Sequence, residues 1–131
     1  MATITITLPK GLKTLRHVQG AEAVEVRHTE AVLRELTTGD MIAAAEAAEK
    51  CVLGDDGAYH LVQSPGRAGI ELLCRQVVRI GEVEGPLTLD ELLKLEREDF
   101  VFLQAMASQL DNAGAEAMRG ATERGRDHPA S

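Results

Sequence analysis

The chain has few aromatic residues: tryptophan is absent, and Tyr59, Phe100 and Phe102 are the three aromatic side chains among 131 residues. A core of this protein must therefore be built from aliphatic side chains. No stretch approaches about 18 uninterrupted apolar residues, so no membrane-spanning helix is predicted. The N-terminus has no basic region followed by an apolar run, so no secretory signal is predicted either. We expect a soluble, intracellular protein.

Cysteine and basic residues are also scarce. Cys51 and Cys74 are too few for a disulfide framework, and each falls in an apolar-periodic segment, so both are expected to be reduced and buried. Fourteen basic residues against twenty-one acidic ones give a formal charge of −7. Binding of nucleic acid needs a concentrated basic face, and so does docking on anionic lipid. Neither nucleic acid nor a membrane is therefore expected as a partner.

Two segments near the N-terminus have the two-residue alternation of a β-strand. Residues 3–8 alternate threonine with isoleucine or leucine, and Pro9 is predicted to end this strand because proline cannot donate to the ladder. The residues that follow are interpreted as a loop or a weak second strand. The next extended segment runs from Val24 to about Leu36. Because a two-stranded ribbon alone is marginal in water, a helix must cover its apolar face.

Helices are predicted for most of the remaining chain. Thr37-x-x-Asp40 and Thr88-x-x-Glu91 each have the pattern of a capping box at a helix start. The first helix is expected to cover residues 41–53. Residues 54–69 form a loop in which residues 59–62 are either a short strand or a helical turn. The next helix, expected to end at Gly81, has an apolar stripe of Ile70, Leu73, Cys74, Val77 and Val78.

The C-terminal part contains a short helix after Thr88 and a final helix that begins in the acidic run 96–99 and extends to about Leu110. From Asp111 onward alanine, glycine and charged residues dominate, and they bury too little surface to offset the ordering entropy. We therefore predict an α+β fold of short N-terminal antiparallel strands followed by about four helices. Residues 1–111 are expected to form a single α+β domain, and residues 112–131 a flexible C-terminal tail.

Residue patterns for catalysis and for cofactor or metal binding are scarce. The four histidines stand far apart and lack the spacing that places two metal ligands on one helix face. The twelve glycines form neither G-x-G-x-x-G nor a phosphate loop. Acidic pairs such as Asp55-Asp56 lack the pattern of a calcium loop and are typical of solvated charge. We therefore expect no enzymatic activity, no catalytic residue, no cofactor and no metal.

The final helix is apolar on more than one side. Phe100, Leu103, Ala107 and Leu110 share one face, whereas Phe102 and Met106 form an i, i+4 pair off that face. Such a helix is either buried on both sides, or buried on one side and available to a partner on the other. The second interpretation predicts a binding surface for apolar clients, and aspartate at Phe102 and Met106 should then abolish binding without unfolding the chain. Its candidate residues are Phe100, Val101, Phe102, Leu103 and Met106.

Two stretches of the sequence resemble the tail assembly chaperones of Mu-like and related long-tailed phages. In the first, Leu33-Arg34-Glu35 precedes Thr37-x-Gly39-Asp40 at a helix start and the run Met41-Ile42-Ala43-Ala44-Ala45-Glu46. The second contains Glu71-Leu72-Leu73, then Leu87-Thr88-Leu89-Asp90-Glu91-Leu92, then Leu95-x-x-x-Asp99-Phe100-x-x-Leu103. Together the two stretches cover about half of the chain, in the family's order, after a short N-terminal strand.

The resemblance implies a non-enzymatic role in virion morphogenesis. Members of the family coat apolar helices of the tape measure protein and keep it soluble until the tail tube polymerises around it. The implied partners are the tape measure protein, the tail tube protein, a frameshifted longer form of the chain, and further copies of the chain itself. The implied location is the host cell cytoplasm, with absence from the mature virion. The alternative function is that of a structural tail completion or baseplate component of the virion.

Overall fold

The computed structural model describes residues 2–126, and for residues 114–126 it describes the backbone alone. The elements follow the order β1 (Thr3–Arg16), β2 (Val24–Arg34), α1 (Thr38–Ala47), β3 (Glu49–Leu53), β4 (Tyr59–Gln63), α2 (Pro65–Gln76), β5 (Val77–Ile80), β6 (Val83–Glu84), α3 (Leu89–Leu93) and α4 (Arg97–Arg126). Within this part of the chain, the predicted α+β architecture of N-terminal antiparallel strands and four helices is confirmed.

The main sheet is antiparallel and has the strand order β1-β2-β5-β6. β1 pairs with β2 along its whole length, with a shift of register between Thr7 and Leu12. Pro9 lies within that shift, where the regular ladder does not require its missing N–H group. The prediction that Pro9 ends the strand was wrong, because the irregularity lets β1 continue to Arg16.

Two helices end earlier than the sequence analysis predicted, and a strand follows each of them. α1 ends at Ala47, and residues 49–53, predicted to be helical, form β3 of a separate two-stranded sheet with β4. α2 ends at Gln76, and Val77 pairs with Leu33 of β2 instead of continuing the helix. Residues 59–62 take the strand alternative within β4. A short apolar run is compatible with the 3.6-residue period of a helix and with the two-residue period of a strand. In these segments the structure shows the strand, because each run pairs with another strand.

The helix starts agree better with the predictions. Thr37 and Thr88 accept hydrogen bonds from the backbone N–H groups of Asp40 and Glu91, and both capping boxes are complete. Ser64 caps α2 in the same way, with Pro65 in its first turn, so this helix begins before its predicted apolar stripe.

The last helix is longer than predicted. α4 continues to Arg126, past the expected end near Leu110. The flexible tail over residues 112–131 stays a prediction, and residues 127–131 lie outside the described part of the chain. None of the described helices combines the length and the apolar character needed to cross a membrane.

The core lies between the main sheet and the helices α2, α3 and α4. Apart from Asp99, its largest fully buried side chains are aliphatic, as the scarcity of aromatic residues requires: Leu8, Leu12, Leu33, Val77, Ile80 and Leu103. Cys74 is buried among them, as predicted. Cys51 is exposed, so its predicted burial was wrong, because its segment forms a projecting strand and not the core face of a helix.

Candidate functional site

The position of α4 is fixed at its first turn by Asp99. This side chain is fully buried, and its two carboxylate oxygens accept the backbone N–H groups of Lys10 and Gly11 at 2.8 and 2.9 Å. Both donors lie in the register shift of β1, outside the regular ladder. The Asp99 carboxylate at the start of α4 therefore provides acceptors for the backbone N–H groups that the irregular segment of β1 leaves outside the ladder.

A second set of hydrogen bonds joins α1, α2 and α4 to the end of β2. The amide of Gln76 donates to the carbonyl of Arg34 at 3.3 Å and to the Asp111 carboxylate at 3.2 Å. Burial raises the pKa of Asp111. The Arg34 guanidinium donates to both oxygens of Asp40 at 2.6 and 2.9 Å, and these bonds hold the pKa of Asp40 well below its usual range. The network fixes the separation of α2 and α4 where they flank a cavity.

An open groove of about 550 Å³ lies between α2 and α4. This α2–α4 groove is lined by Leu36, Gly69, Leu72, Leu73, Gln76, Val101, Gln104, Ala105, Ala107, Ser108 and Asp111. Leu72 contributes apolar surface from α2, and Val101, which is 54% exposed, contributes it from α4. Glycine and alanine elsewhere in the lining keep the space between the helices open, and Gln104 and Ser108 add polar groups.

A smaller, more apolar pocket of about 300 Å³ lies where α2, α3 and α4 meet. Ile70, Leu92, Leu93 and Phe100 line it, together with Leu89, Leu95 and Arg97. Leu93 is 71% exposed, so apolar surface at this pocket is open to solvent. The groove and the pocket together offer contacts that suit apolar side chains of a partner.

The five predicted partner-binding residues of α4 lie in different environments. Val101 lines the α2–α4 groove, and Phe100 lines the smaller pocket. Leu103 is fully buried in the core. Phe102 and Met106 are half-buried, pack against the core and line neither cavity. Aspartate at Phe102 and Met106 therefore removes core contacts, and Val101 is the better residue on which to test the predicted binding.

The β3–β4 hairpin is a further exposed apolar surface, and it was not predicted from the sequence. Every residue of its two strands is exposed, including Leu53, Tyr59 and Leu61. The signal for it was a glycine-rich acidic turn, residues 54–57, between two short apolar runs. In the turn, the Ala58 amide donates to Asp56, and the His60 ring lies 3.0 Å from the same carboxylate. Both contacts hold the pKa of Asp56 below its ordinary value.

The cysteine and histidine side chains that could act in catalysis, Cys74 and His28, are buried within the fold. Burial raises the pKa of the Cys74 thiol, which favours the protonated, unreactive form. His28 is buried in β2, with Nε2 2.9 Å from the Thr14 hydroxyl. Among the described residues, no group of three or more His, Cys, Asp or Glu side chains is placed to hold a metal ion. The groove, the pocket and the hairpin are thus the candidate sites, and each offers apolar contact.

Comparison with known proteins identifies the family. A family model described as "Tail assembly protein gp41" matches residues 10–126. The chain therefore belongs to this family of phage tail assembly proteins, as its resemblance to proteins of Mu-like phages predicted. No solved structure matches the chain.

Three curated relatives are similar to the chain. "Probable tail assembly protein gp41" of Escherichia phage Mu is 45% identical over 94 residues, which cover 72% of this chain and 63% of that protein. "Probable tail assembly protein FS-gp41" of the same phage is 44% identical over 86 residues, covering 66% and 45%. "Mu-like prophage FluMu protein gp41" of Haemophilus influenzae is 38% identical over 92 residues, covering 70% and 72%. The chain thus spans less than two thirds of the length of either Mu protein.

Proposed function

We propose that this chain acts in phage tail assembly as a chaperone, binding apolar helical segments of the tape measure protein and keeping that protein soluble until the tail tube polymerises. Its membership of a family of tail assembly proteins supports the part of the proposal that places the chain in tail assembly. The exposed Val101 beside Leu72 in the open α2–α4 groove is the observation that carries the mode of binding. The tail tube protein and a frameshifted longer form are proposed as further partners in the host cytoplasm.

The dimensions of the α2–α4 groove suit a short stretch of helix. Its α4 wall extends from Val101 to Asp111. At 1.5 Å per residue this is about 15 Å, or roughly three helical turns. A helix in such a groove is held by apolar side chains at i, i+3 or i+4, and i+7. Exposed apolar stripes of this kind on a long client cause aggregation until they are covered, and the net charge of −7 helps to keep a complex dissolved.

The proposal predicts that Val101→Asp weakens client binding without unfolding the chain. A carboxylate at this position would be desolvated against an apolar partner helix, and we expect about tenfold weaker binding or more. Because Val101 is exposed, its replacement removes little core packing. The measurement is the amount of tape measure protein of the same phage that co-purifies with each variant, together with its circular-dichroism spectrum.

Gln109→Asp is the matched control. Gln109 is exposed on the same helix and does not line the groove, so this substitution adds the same charge away from the proposed contact. The control should bind the client as the unmodified chain does. Unchanged binding by Val101→Asp, or an equal loss in both variants, would show that the groove is not the binding surface.

A structural tail completion or baseplate component is the alternative function, and it is separated from the proposal by the composition of finished particles. A chaperone leaves before the virion is complete, whereas a structural component stays. Mass spectrometry of purified virions should therefore detect the tail tube protein and not this chain. Stoichiometric amounts of the chain in those particles would support the alternative.

A further inference from the structure

The β3–β4 hairpin exposes apolar side chains that the proposed client site does not use. Leu53, Tyr59 and Leu61 are 61%, 73% and 74% exposed and lie on one face of the hairpin, because Leu53 pairs with Tyr59 and Cys51 with Leu61. Within the described residues, this sheet consists of β3 and β4 only. A two-stranded sheet with no cover is marginal in water, and three or more strands with an apolar face are needed for stability.

The outer edges of both strands present backbone groups that the hairpin leaves unpaired. Ser64 N donates to the carbonyl of Ala48, and Gly54 N to the carbonyl of Ala58, so these positions form hydrogen-bonded pairs. In an antiparallel ladder such pairs alternate with non-hydrogen-bonded ones, which makes Cys51 and Leu61 a non-hydrogen-bonded pair. The N–H and C=O groups of Leu61 therefore point away from β3, toward the open edge of β4.

The edge of β4 lacks the features that usually block pairing with another strand. Its five residues, Tyr59 to Gln63, include no proline, lysine, arginine or carboxylate, and its register with β3 is regular. β3, by contrast, begins with Glu49 and Lys50. Two copies of a chain with a charge of −7 repel each other, and β4 offers them a strand without carboxylate side chains on which to meet.

We propose that two copies of this chain associate by antiparallel pairing of β4 with β4. Full overlap of the two five-residue strands places the twofold axis at Leu61, so that Leu61 faces the Leu61 of the second copy and Tyr59 faces Gln63. The product is a four-stranded sheet in the order β3-β4-β4-β3. One face of this sheet carries Leu53, Tyr59 and Leu61 from both copies. The sheet therefore has at least three strands and an apolar face, which a stable sheet needs and a single hairpin lacks.

The test is the mass of the purified 131-residue chain as a function of concentration, measured by size-exclusion chromatography with light scattering. The mass should rise from 14.1 kDa toward twice that value as concentration increases. Leu61→Lys places two like charges opposite each other across the axis and removes the cross-strand contact between the two leucines, so dimerisation should weaken about tenfold or more. The helical circular-dichroism signal should remain unchanged, since Leu61 lies outside the core.

Cys51→Lys is the matched control, because it adds the same charge to the same face of the same hairpin, but on β3. This variant should still dimerise. A second pair of variants tests the backbone: Leu61→Pro removes an N–H group that points to the β4 edge, and Cys51→Pro removes the equivalent group on the β3 edge. Only Leu61→Pro should remain a monomer.

A constant mass of 14.1 kDa at all concentrations would overturn the proposal. Dissociation by Cys51→Lys together with full dimerisation of Leu61→Lys would overturn the choice of strand. The experiment contains no client, so its outcome is independent of whether the chain binds the tape measure protein.

Discussion

At the scale of single residues, buried polar side chains join elements that are distant in sequence. Asp99 accepts from Gly11 across 88 residues, and Gln76 donates to Asp111 across 35. Within residues 2–126, no buried side-chain nitrogen or oxygen of the described side chains lacks a hydrogen-bond partner. An unsatisfied buried polar group costs about 1–3 kcal/mol, so these residues fix how α2 and α4 are held.

Gly81 is a residue at which we predict a large loss of stability on substitution. Its φ of +58° is a conformation that favours glycine, and an added Cβ would lie 2.6 Å from the Cβ of His28. Its N–H group donates to the Glu30 carbonyl at 2.7 Å, which prevents the backbone from moving away. Gly81→Ala should therefore lower the free energy of unfolding by about 3 kcal/mol in urea denaturation.

Gly20→Ala is the control for the cost of the backbone conformation alone. Gly20 has a φ of +80°, but nothing lies within 4 Å of an added Cβ. The expected loss at this position is about 1 kcal/mol. Equal losses at the two glycines would show that the His28 contact does not constrain the turn between β5 and β6.

At the scale of elements, the starts of α1, α3 and α4 could be predicted from the sequence, whereas the start of α2 and the ends of α1, α2 and α4 could not. A capping box is local, since Thr37 and Asp40 are three residues apart and satisfy each other's backbone. The end of α2 depends on a distant partner, because Val77 leaves the helix to pair with Leu33. β1 continued past Pro9 for a similar reason, with Asp99 of α4 supplying acceptors for the irregular segment.

The start of α1 is predicted to make the stability of the protein depend on pH. The pKa of Asp40 is lowered by the Arg34 guanidinium, so its contribution is complete above the ordinary carboxyl pKa of about 4 and is lost as pH falls further. Asp40→Asn removes the paired carboxylate and should cost about 1–2 kcal/mol at pH 7. The difference from the unmodified chain should shrink as the pH is lowered from about 5 to 2.

The measurement is the free energy of unfolding in urea at several pH values. Asp90→Asn is the control, since Asp90 is an exposed carboxylate in the first turn of α3. This variant should keep the pH dependence of the unmodified chain. A difference between Asp40→Asn and the unmodified chain that stays constant from pH 7 to 2 would contradict the assigned role of the Arg34–Asp40 pair.

At the scale of the whole molecule, the family could be predicted from the sequence, but the candidate site could be predicted only in part. The two stretches that carry the resemblance contain both helix caps and the anchor Asp99, which the fold uses directly. Val101 was among the predicted contact residues and is exposed in the groove. Leu36 and Leu72 line the same groove, and only the tertiary packing of α2 against α4 brings them beside Val101. The hairpin was not predicted because the alanine- and glutamate-rich residues 43–49, which precede most of β3, favour a longer helix.

The central claim is that this chain keeps the tape measure protein soluble by covering its apolar helices. The most direct measurement is to express the tape measure protein of the same phage with and without this chain, and to determine the soluble fraction and the mass of any complex by light scattering. The account predicts that the client precipitates alone and that a soluble complex with several copies of this chain forms on co-expression. If the client precipitates equally in both cases while this chain stays separate in solution, the chaperone function is contradicted.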